Sequence, residues 1–376
     1  MKLKVSTRPK IDYKDLQIIE GLSKYTPRNI LKISREIGIP ESTIRYRIRT
    51  LIKRGVLRLY TNVYHTNIGL KKHVVFTKYN PIYKDDIYNL INAYSPIYML
   101  KVYSGAIGSF SVHIIPPNLS NDLEKYFKEL VKLDVIHDYK VYHSTCFHNI
   151  NPITDWFDII SGNWIFGWDT LIEDIQDEES KLPITLKDPN DFPILADRLD
   201  INILRLLELD PTITYTAIAK KLDTTPQNIK YHYEEHIVKN FLIEDFDIQI
   251  RRFNPRTSTL VIGLLNFTSM DMLAKAANAF ERRAFSEILG KILGRESLLG
   301  IFYLPNNELW RLVDSLNDMV KVGILKDYEV FFSPLSERGK AYTIPYQYFA
   351  DDHWMFPSLD YYLERLYSRL ESIRLN

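Results

Sequence analysis

Between Arg28 and Arg58 the chain carries nine cations: Arg28, Lys32, Arg35, Arg45, Arg47, Arg49, Lys53, Arg54 and Arg58. Only Glu36 and Glu41 oppose them, leaving about +7 locally on a chain whose formal net charge is +1. Such a density suits phosphate oxygens. Within it, Ser42, Thr43, Arg45, Tyr46 and Arg49 alternate with Ile44, Ile48 and Leu51. An arginine can make two parallel hydrogen bonds to a guanine edge, worth about 1–3 kcal/mol of base discrimination. Lys53, Arg54 and Arg58 follow where backbone phosphates would be met. Arg47 is placed either to brace the fold or to reach a ligand. The chemistry these residues suit is hydrogen bonding to a duplex rather than bond making.

Such side chains must be held on a helix with a buried back. Leu16, Ile18 and Ile19 place a first helix over about Asp15 to Leu22, and a second covers about Asn29 to Ile37. Gly38-Ile39-Pro40 makes a turn, and a third helix runs from Glu41 to about Arg54, backed by Ile44, Ile48, Leu51 and Ile52. Gly55 stands where a helix end wants a left-handed residue. Val56 to Tyr60 and Val63-Tyr64 read as the strands of a wing.

The same plan recurs 185 residues later without a gap: Ile33-Ser34-Arg35-Glu36-Ile37 meets Ile218-Ala219-Lys220-Lys221-Leu222, Ile44 meets Ile229, Tyr46 meets Tyr231 and Leu57 meets Leu242. Ile201, Leu204 and Leu207 line the first helix of this copy. Thr225-Pro226 is a helix start with a hydroxyl cap and proline at the first position. Asn240 replaces the terminal glycine. Gln227 and Asn228 are placed to read adenine, and Lys230 and Tyr231 to touch backbone. His232 and Glu234-Glu235 stand where the first copy has arginines or neutral residues, so this copy is electrostatically weaker; packing or protein contact is its other use. Two helix-turn-helix units usually read two half-sites of one duplex.

Each copy is followed by alternating strands and helices. After the first come Val74–Lys78, a helix over Lys84–Tyr94, a strand pair around Tyr98–Ile115 turning at Ser104 to Gly108, a helix over Asn121–Leu133 and a strand over Val135–Tyr142. After the second come Leu260–Leu265, a helix over Met270–Phe285, a strand near Leu298–Leu304, a helix over Asn307–Val320 and a strand over Leu325–Phe332. Both read as β-α-β-β-α-β, a ferredoxin-like order. Trp164-Ile165-Phe166 and Trp354-Met355-Phe356 extend the correspondence. Glu173 to Asp191 is acidic, broken by Pro183 and Pro189, and reads as a linker. The tail puts Leu359, Leu363, Leu366, Leu370 and Ile373 on one helical face, expected to pack on its own domain or to meet a partner. The expected class is α+β, with a winged helix-turn-helix over 1–70, a ferredoxin-like domain over 71–150, an aromatic and acidic linker over 151–196, a second winged helix-turn-helix over 197–256, a second ferredoxin-like domain over 257–336, and a C-terminal aromatic segment and helix over 337–376.

At this point the chain resembles the leucine-responsive/AsnC (feast/famine) family of transcription regulators. The residues that carry this are Ile37-Gly38-Ile39, Ser42 to Ile48, Leu51, Gly55-Val56-Leu57 and Asn67-Ile68-Gly69-Leu70, within about residues 12 to 145. The resemblance implies a winged helix-turn-helix joined to a ferredoxin-like ligand and oligomerisation domain, and a small-molecule effector. Pro40 replaces the usual small cap residue. Gly105 is retained in the central hairpin, but Gly108 stands at the expected aspartate, and Gly294 to Ser297 match poorly.

Composition narrows the rest. One cysteine, Cys146, excludes an intrachain disulfide and fits a cytoplasmic setting. No apolar run is long enough for a membrane span, and MKLKVSTRPK lacks a signal-peptide core. Many Tyr, Ile and Lys suit a thermophile. His143, Cys146 and His148 match no zinc spacing, Trp156, Trp164 and Trp168 read as packing, and no nucleophile–base pair appears, so neither catalysis, cofactor nor metal is expected. The sequence points to a double-stranded-DNA-binding regulator with both heads in one chain, and further self-association is open. Two rivals stand beside it. One is a siroheme decarboxylase-like tetrapyrrole enzyme of the same plan, for which His65, His73 or His143 would serve. The other is an architectural DNA-binding protein.

Overall fold

The computed structural model describes residues 11–94, 98–158, 160–334 and 343–374. The MKLKVSTRPK start and the expected boundary between 336 and 337 lie outside them. The first head holds α1 (Tyr13–Tyr25), α2 (Ile30–Ile37) and α3 (Glu41–Lys53). Asp12 and Asp15 form a reciprocal capping box on α1, each carboxylate accepting the other's backbone N–H. Ile44, Ile48 and Leu51 bury the inner face of α3 against Ile18, Ile19 and Ile33. Ile52, expected in that stripe, is instead 44% exposed, because it lies one step around the helix from Leu51. Gly55 takes the left-handed conformation at φ +66 and ends the helix.

The expected local wing does not form. Residues Leu57–Val63 make one strand, β1. Its partner comes from the far half of the chain.

The first sheet unit runs β2 (Lys71–Tyr79), α4 (Ile87–Ile91), β3 (Tyr98–Tyr103), β4 (Ile107–Ile115), α5 (Ser120–Lys132) and β5 (Ile136–Ser144). The expected helix over 84–94 is shorter, flanked by 3-10 turns. A short strand β6 (His148–Asn149), a hairpin of β7 (Phe157–Asp158) and β8 (Asn163–Trp164), and α6 (Leu171–Asp177) follow. The second head has α7 (Arg198–Leu209), α8 (Tyr215–Leu222), α9 (Pro226–Tyr231), a π-helix over His232–Val238 and β9 (Ile243–Ile250). The second unit runs β10 (Ser258–Phe267), α10 (Met270–Glu281), β11 (Ser286–Lys291), β12 (Ser297–Pro305), α11 (Leu309–Lys321) and β13 (Leu325–Pro334). The helix expected to reach Phe285 stops at Glu281, and residues 286–291 form a strand missed in the sequence. A hairpin of β14 (Phe349–Ala350) and β15 (His353–Trp354) precedes α12 (Leu359–Arg374).

One nine-stranded sheet joins both units in the order β5-β2-β4-β3-β13-β10-β12-β11-β6. Each unit contributes its fourth, first, third and second strands in turn. The seam is the pairing of Tyr103 with Phe332, beside Phe76 and Phe331, whose rings stack at 4.4 Å.

The heads exchange structure. β1 pairs antiparallel with β9, from Leu57 opposite Ile250 to Val63 opposite Ile243. Phe246, Ile248 and Ile250 of β9 close the core of the first head. Thr61 of β1 donates its hydroxyl to the Leu207 carbonyl in the second head. The helices cross over likewise. The segment expected as a linker is ordered: Leu171 and Ile175 of α6, with Leu186, are buried in the core of the second unit. Its acids reach basic partners there, Asp174 bonding Arg283 and Glu178 bonding Arg282. The C-terminal helix, expected on its own domain, buries Tyr362, Leu366 and Leu370 in the core of the first unit.

The π-helix adds one residue to the second head. The N–H of Val56 bonds the Leu51 carbonyl, and that of Leu242 bonds the Ile237 carbonyl. The ungapped correspondence therefore slips by one residue beyond the recognition segment, so Leu242 matches Val56 rather than Leu57. The left-handed stop accordingly falls at Phe241 (φ +51), not at Asn240.

Candidate functional site

The outer face of α3 presents Ser42, Arg45, Tyr46, Arg49 and Lys53 to solvent, with Tyr46 69% exposed and Thr43 partly covered. Arg45 is steadied by Glu41 one turn earlier, its Nη2 2.6 Å from Oε1. An exposed pair of this kind adds little stability and releases its arginine readily to a stronger acceptor. Arg54 caps the C-terminal end of α3 and is exposed. Arg47 turns inward: its Nη1 lies 2.8 Å from Asp12 Oδ2 and 2.7 Å from Asp15 Oδ1. Burial pushes the Asp12 carboxyl up, but the Arg47 bond and the backbone N–H groups of Asp15 and Lys14 outweigh it and hold it below its ordinary value. Arg47 therefore locks α3 onto α1.

Two further cations leave the outer face. Arg28 donates to the carbonyls of Pro211 (3.2 Å) and Ile213 (3.0 Å) and lies over the rings of Tyr215 and Tyr233, joining the heads. Arg58 lies on β1, half-buried, and lines an internal cavity rather than extending the α3 face. What remains outside are Lys32, Arg35, Arg45, Arg49, Lys53 and Arg54, against Glu36 and Glu41.

In the second head Gln227, Lys230 and Tyr231 are exposed, Tyr231 at 55%. Asn228 is half-buried and donates to Thr224 Oγ1 at 3.2 Å. Thr225 caps α9 by accepting the Asn228 N–H, with Pro226 at its first position. Lys230 lies 3.8 Å from Glu234, and Lys239 bonds Glu235. The acids thus neutralise the cations of this face.

A second candidate site lies beneath the β1–β9 ribbon. It is a cavity of about 410 Å³ walled by both strands and by sheet residues such as Tyr98, Leu100 and Ile301. Arg58, Lys72, Arg251 and His65 line it, as do Glu208, Asp247 and Glu287. Burial pushes the Glu208 carboxyl up to about 7. Burial, with Asp245 nearby, does the same to Asp247. Burial, then the charge of Lys72, holds His65 well below its ordinary value. Of the histidines weighed in the sequence, only His65 lines this cavity; His73 and His143 meet edge to face with centroids 4.8 Å apart. His143, Cys146 and His148 do not converge: Cys146 is buried, and His148 Nε2 lies 2.8 Å from Glu281.

One cluster escaped the sequence reading. Asp197, Asp200, His232 and His236 bring four ligand atoms within 4.8 Å of one another. Its signal was present in the sequence: two histidines four apart on a helix, and two aspartates at the positions of Asp12 and Asp15.

Taken together, the chain is an α+β protein with a winged helix-turn-helix. Residues 197–235, in the second head, match the winged helix-turn-helix DNA-binding family model. An uncharacterized HTH-type transcriptional regulator of Pyrococcus furiosus is 32% identical over 74 residues, 19% of this chain and 49% of that protein. The HTH-type transcriptional regulator LysM of Sulfurisphaera tokodaii is 35% identical over 71 residues, 19% of this chain and 50% of LysM. The chain thus spans about half the length of the curated relatives it matches. In this part it resembles winged helix-turn-helix regulators of the leucine-responsive/AsnC type. Over nearly its whole length the fold is similar to that of the siroheme decarboxylase NirDL, with a TM-score of 0.53, 14% identity, and 94% of this chain and 98% of that one covered. At that identity the likeness is one of fold. No helix among the described residues is long and apolar enough to cross a membrane.

Proposed function

We propose that this chain is a sequence-directed, double-stranded-DNA-binding transcription regulator of the cytoplasm. In this reading a tandem duplication supplies both heads, which act as an intrachain pseudodimer on an imperfectly symmetric site. The carrying observation is the outer face of α3: Ser42, Arg45, Tyr46, Arg49 and Lys53 project to solvent from a helix whose opposite face is buried. The exchange of β1 and β9 supports the pseudodimer, because neither head completes its core alone. The first head supplies most of the affinity, since the second face is neutralised by Glu234 and Glu235. Thr43, Arg54, Gln227, Asn228, Lys230 and Tyr231 make the remaining contacts, and Arg58 serves the ribbon and its cavity instead. The cavity under the ribbon is of a size to take a small polar effector.

Selection of bound sequences from a random DNA pool, followed by gel-shift titration, tests this. Two half-sites are expected, and Arg45→Ala with Arg49→Ala is expected to cost at least about 2 kcal/mol, roughly 30-fold. Lys53→Ala should flatten the salt dependence by about 0.9 in log–log slope. Unchanged affinity in the double variant overturns the assignment of the first head. Selection without sequence preference favours an architectural role.

The full-length likeness to NirDL favours a second reading, a tetrapyrrole decarboxylase with its pocket under the ribbon. There Arg58, Lys72 and Arg251 would hold substrate carboxylates and His65 would face the ring. Glu208, Asp247 and Glu287 oppose those cations in the same cavity, which weakens the fit to a polycarboxylate. Soret absorption that shifts on adding an iron tetrapyrrole would favour this reading; a featureless titration would remove it.

A further inference from the structure

We propose that Asp197, Asp200, His232 and His236 form a site for a divalent transition-metal ion of the zinc type. The ion would pin the recognition segment of the second head to its first helix.

The argument begins with the first head. There the capping-box aspartates Asp12 and Asp15 face a fixed cation, Arg47. In the second head the corresponding aspartates are Asp197 and Asp200, again in a reciprocal capping box. The residue 185 positions beyond Arg47 is His232. The arginine has been replaced by imidazole, and a second imidazole, His236, has been added one turn on. Two carboxylates, one of them fully buried, thus face two imidazoles where the first head has a fixed guanidinium, and both rings reach Asp200 through Nδ1. A buried carboxylate requires a compensating charge. A metal ion supplies the charge that Arg47 supplies in the first head.

The geometry suits it. The capping box uses Asp197 Oδ1 and Asp200 Oδ2 for backbone N–H groups, leaving Asp197 Oδ2 and Asp200 Oδ1 turned toward the histidines. His232 Nδ1 lies 2.9 Å from Asp200 Oδ1 and 3.7 Å from Asp197 Oδ2. His236 Nδ1 lies 3.2 Å from Asp200 Oδ2 and 3.7 Å from Asp197 Oδ2. Four ligands at the zinc–nitrogen and zinc–oxygen bond length would stand about 3.4 Å apart at the corners of a tetrahedron. Among the free oxygens and the two ring nitrogens the separations are 2.9 Å for one pair and 3.7 Å for two, and all four atoms lie within 4.8 Å of one another, a spread that spans that edge. Two nitrogens and two carboxylate oxygens form a donor set that favours zinc, nickel or copper over magnesium or calcium. Both histidines lie in the π-helix, an irregularity that recurs at functional sites.

The test uses the full chain stripped with chelator and titrated with Co²⁺, whose visible d–d bands report tetrahedral coordination, then with Zn²⁺ in competition. The wild type is expected to bind one equivalent at this site and to gain thermal stability on Zn²⁺ addition. His236→Ala removes a ligand. His232→Arg removes a ligand while restoring the residue type that the first head uses against its aspartates, so it should fold. Circular dichroism checks that. Both variants are expected to bind more than about 100-fold more weakly. Absence of the Co²⁺ bands in the wild type, or undiminished binding in folded His232→Arg, overturns the proposal.

Discussion

Glu208 offers the sharpest physical test of how the halves lock together. It sits on α7, 2% exposed, and its Oε1 accepts the Thr343 N–H at 2.9 Å and the Thr343 hydroxyl. That hydroxyl also lies 2.9 Å from His65 Nε2. Oε2 is buried with no hydrogen bond to it among the described residues, so ionisation would place a poorly compensated charge in the interior. This is why burial pushes the carboxyl from 4.5 up to about 7, although the Thr343 bonds, the Ile344 backbone and Lys72 pull it down. A folded-state value above the unfolded one means that the folded protein holds the proton longer. Stability from this group is full below 4.5 and is lost as pH rises through about 7. At 1.36 kcal/mol per unit, the loss between pH 5 and pH 8 is about 2.5 kcal/mol. Glu208→Gln cannot ionise and keeps an oxygen for Thr343, though its amide introduces a constant offset. Urea titrations of wild type and Glu208→Gln at pH 5 and pH 8 measure the difference, in which every other titrating group cancels. The variant should gain about 2.5 kcal/mol on the wild type across that interval. A difference that stays constant with pH would refute burial of the carboxyl as the cause.

Two further outcomes follow from the packing. Leu366→Ala removes a fully buried side chain of α12 from the core of the first unit, so it should cost about 2–5 kcal/mol, and hydrogen exchange should rise in α4 and α5 rather than in the second unit. Gly108→Ala would set a Cβ 2.2 Å from the Thr77 carbonyl oxygen across β2 and β4, so the strands must part, and a lowered melting temperature with loss of protection in β2 is expected.

The elements were legible where periodicity and capping are local. Ile44, Ile48 and Leu51 announce α3, Thr225-Pro226 announces α9, and Gly55 marks a stop, because each depends only on neighbours within a turn. The strand Ser286–Lys291 was hidden because Ala284 and Phe285, following Phe280, continue the apolar face of α10 past its end at Glu281. The exposed face of α3 could be drawn from the helical repeat alone, but the inward turn of Arg47 and Arg28 could not. Their partners, Asp12 and the carbonyls of Pro211 and Ile213, are distant in sequence, and spacing carries no information about them.

By itself, then, the chain determined most of its helices and sheet strands, Ser286–Lys291 excepted, since hydrophobic period and end signals are short-range. Tertiary structure alone decided that β1 would take β9 as its partner, that α6 and α12 would cross to the opposite half, and that two aspartates would face two histidines. An apolar stripe shows that a face must be buried but not against what, and the choice falls to whichever long-range surface completes the core.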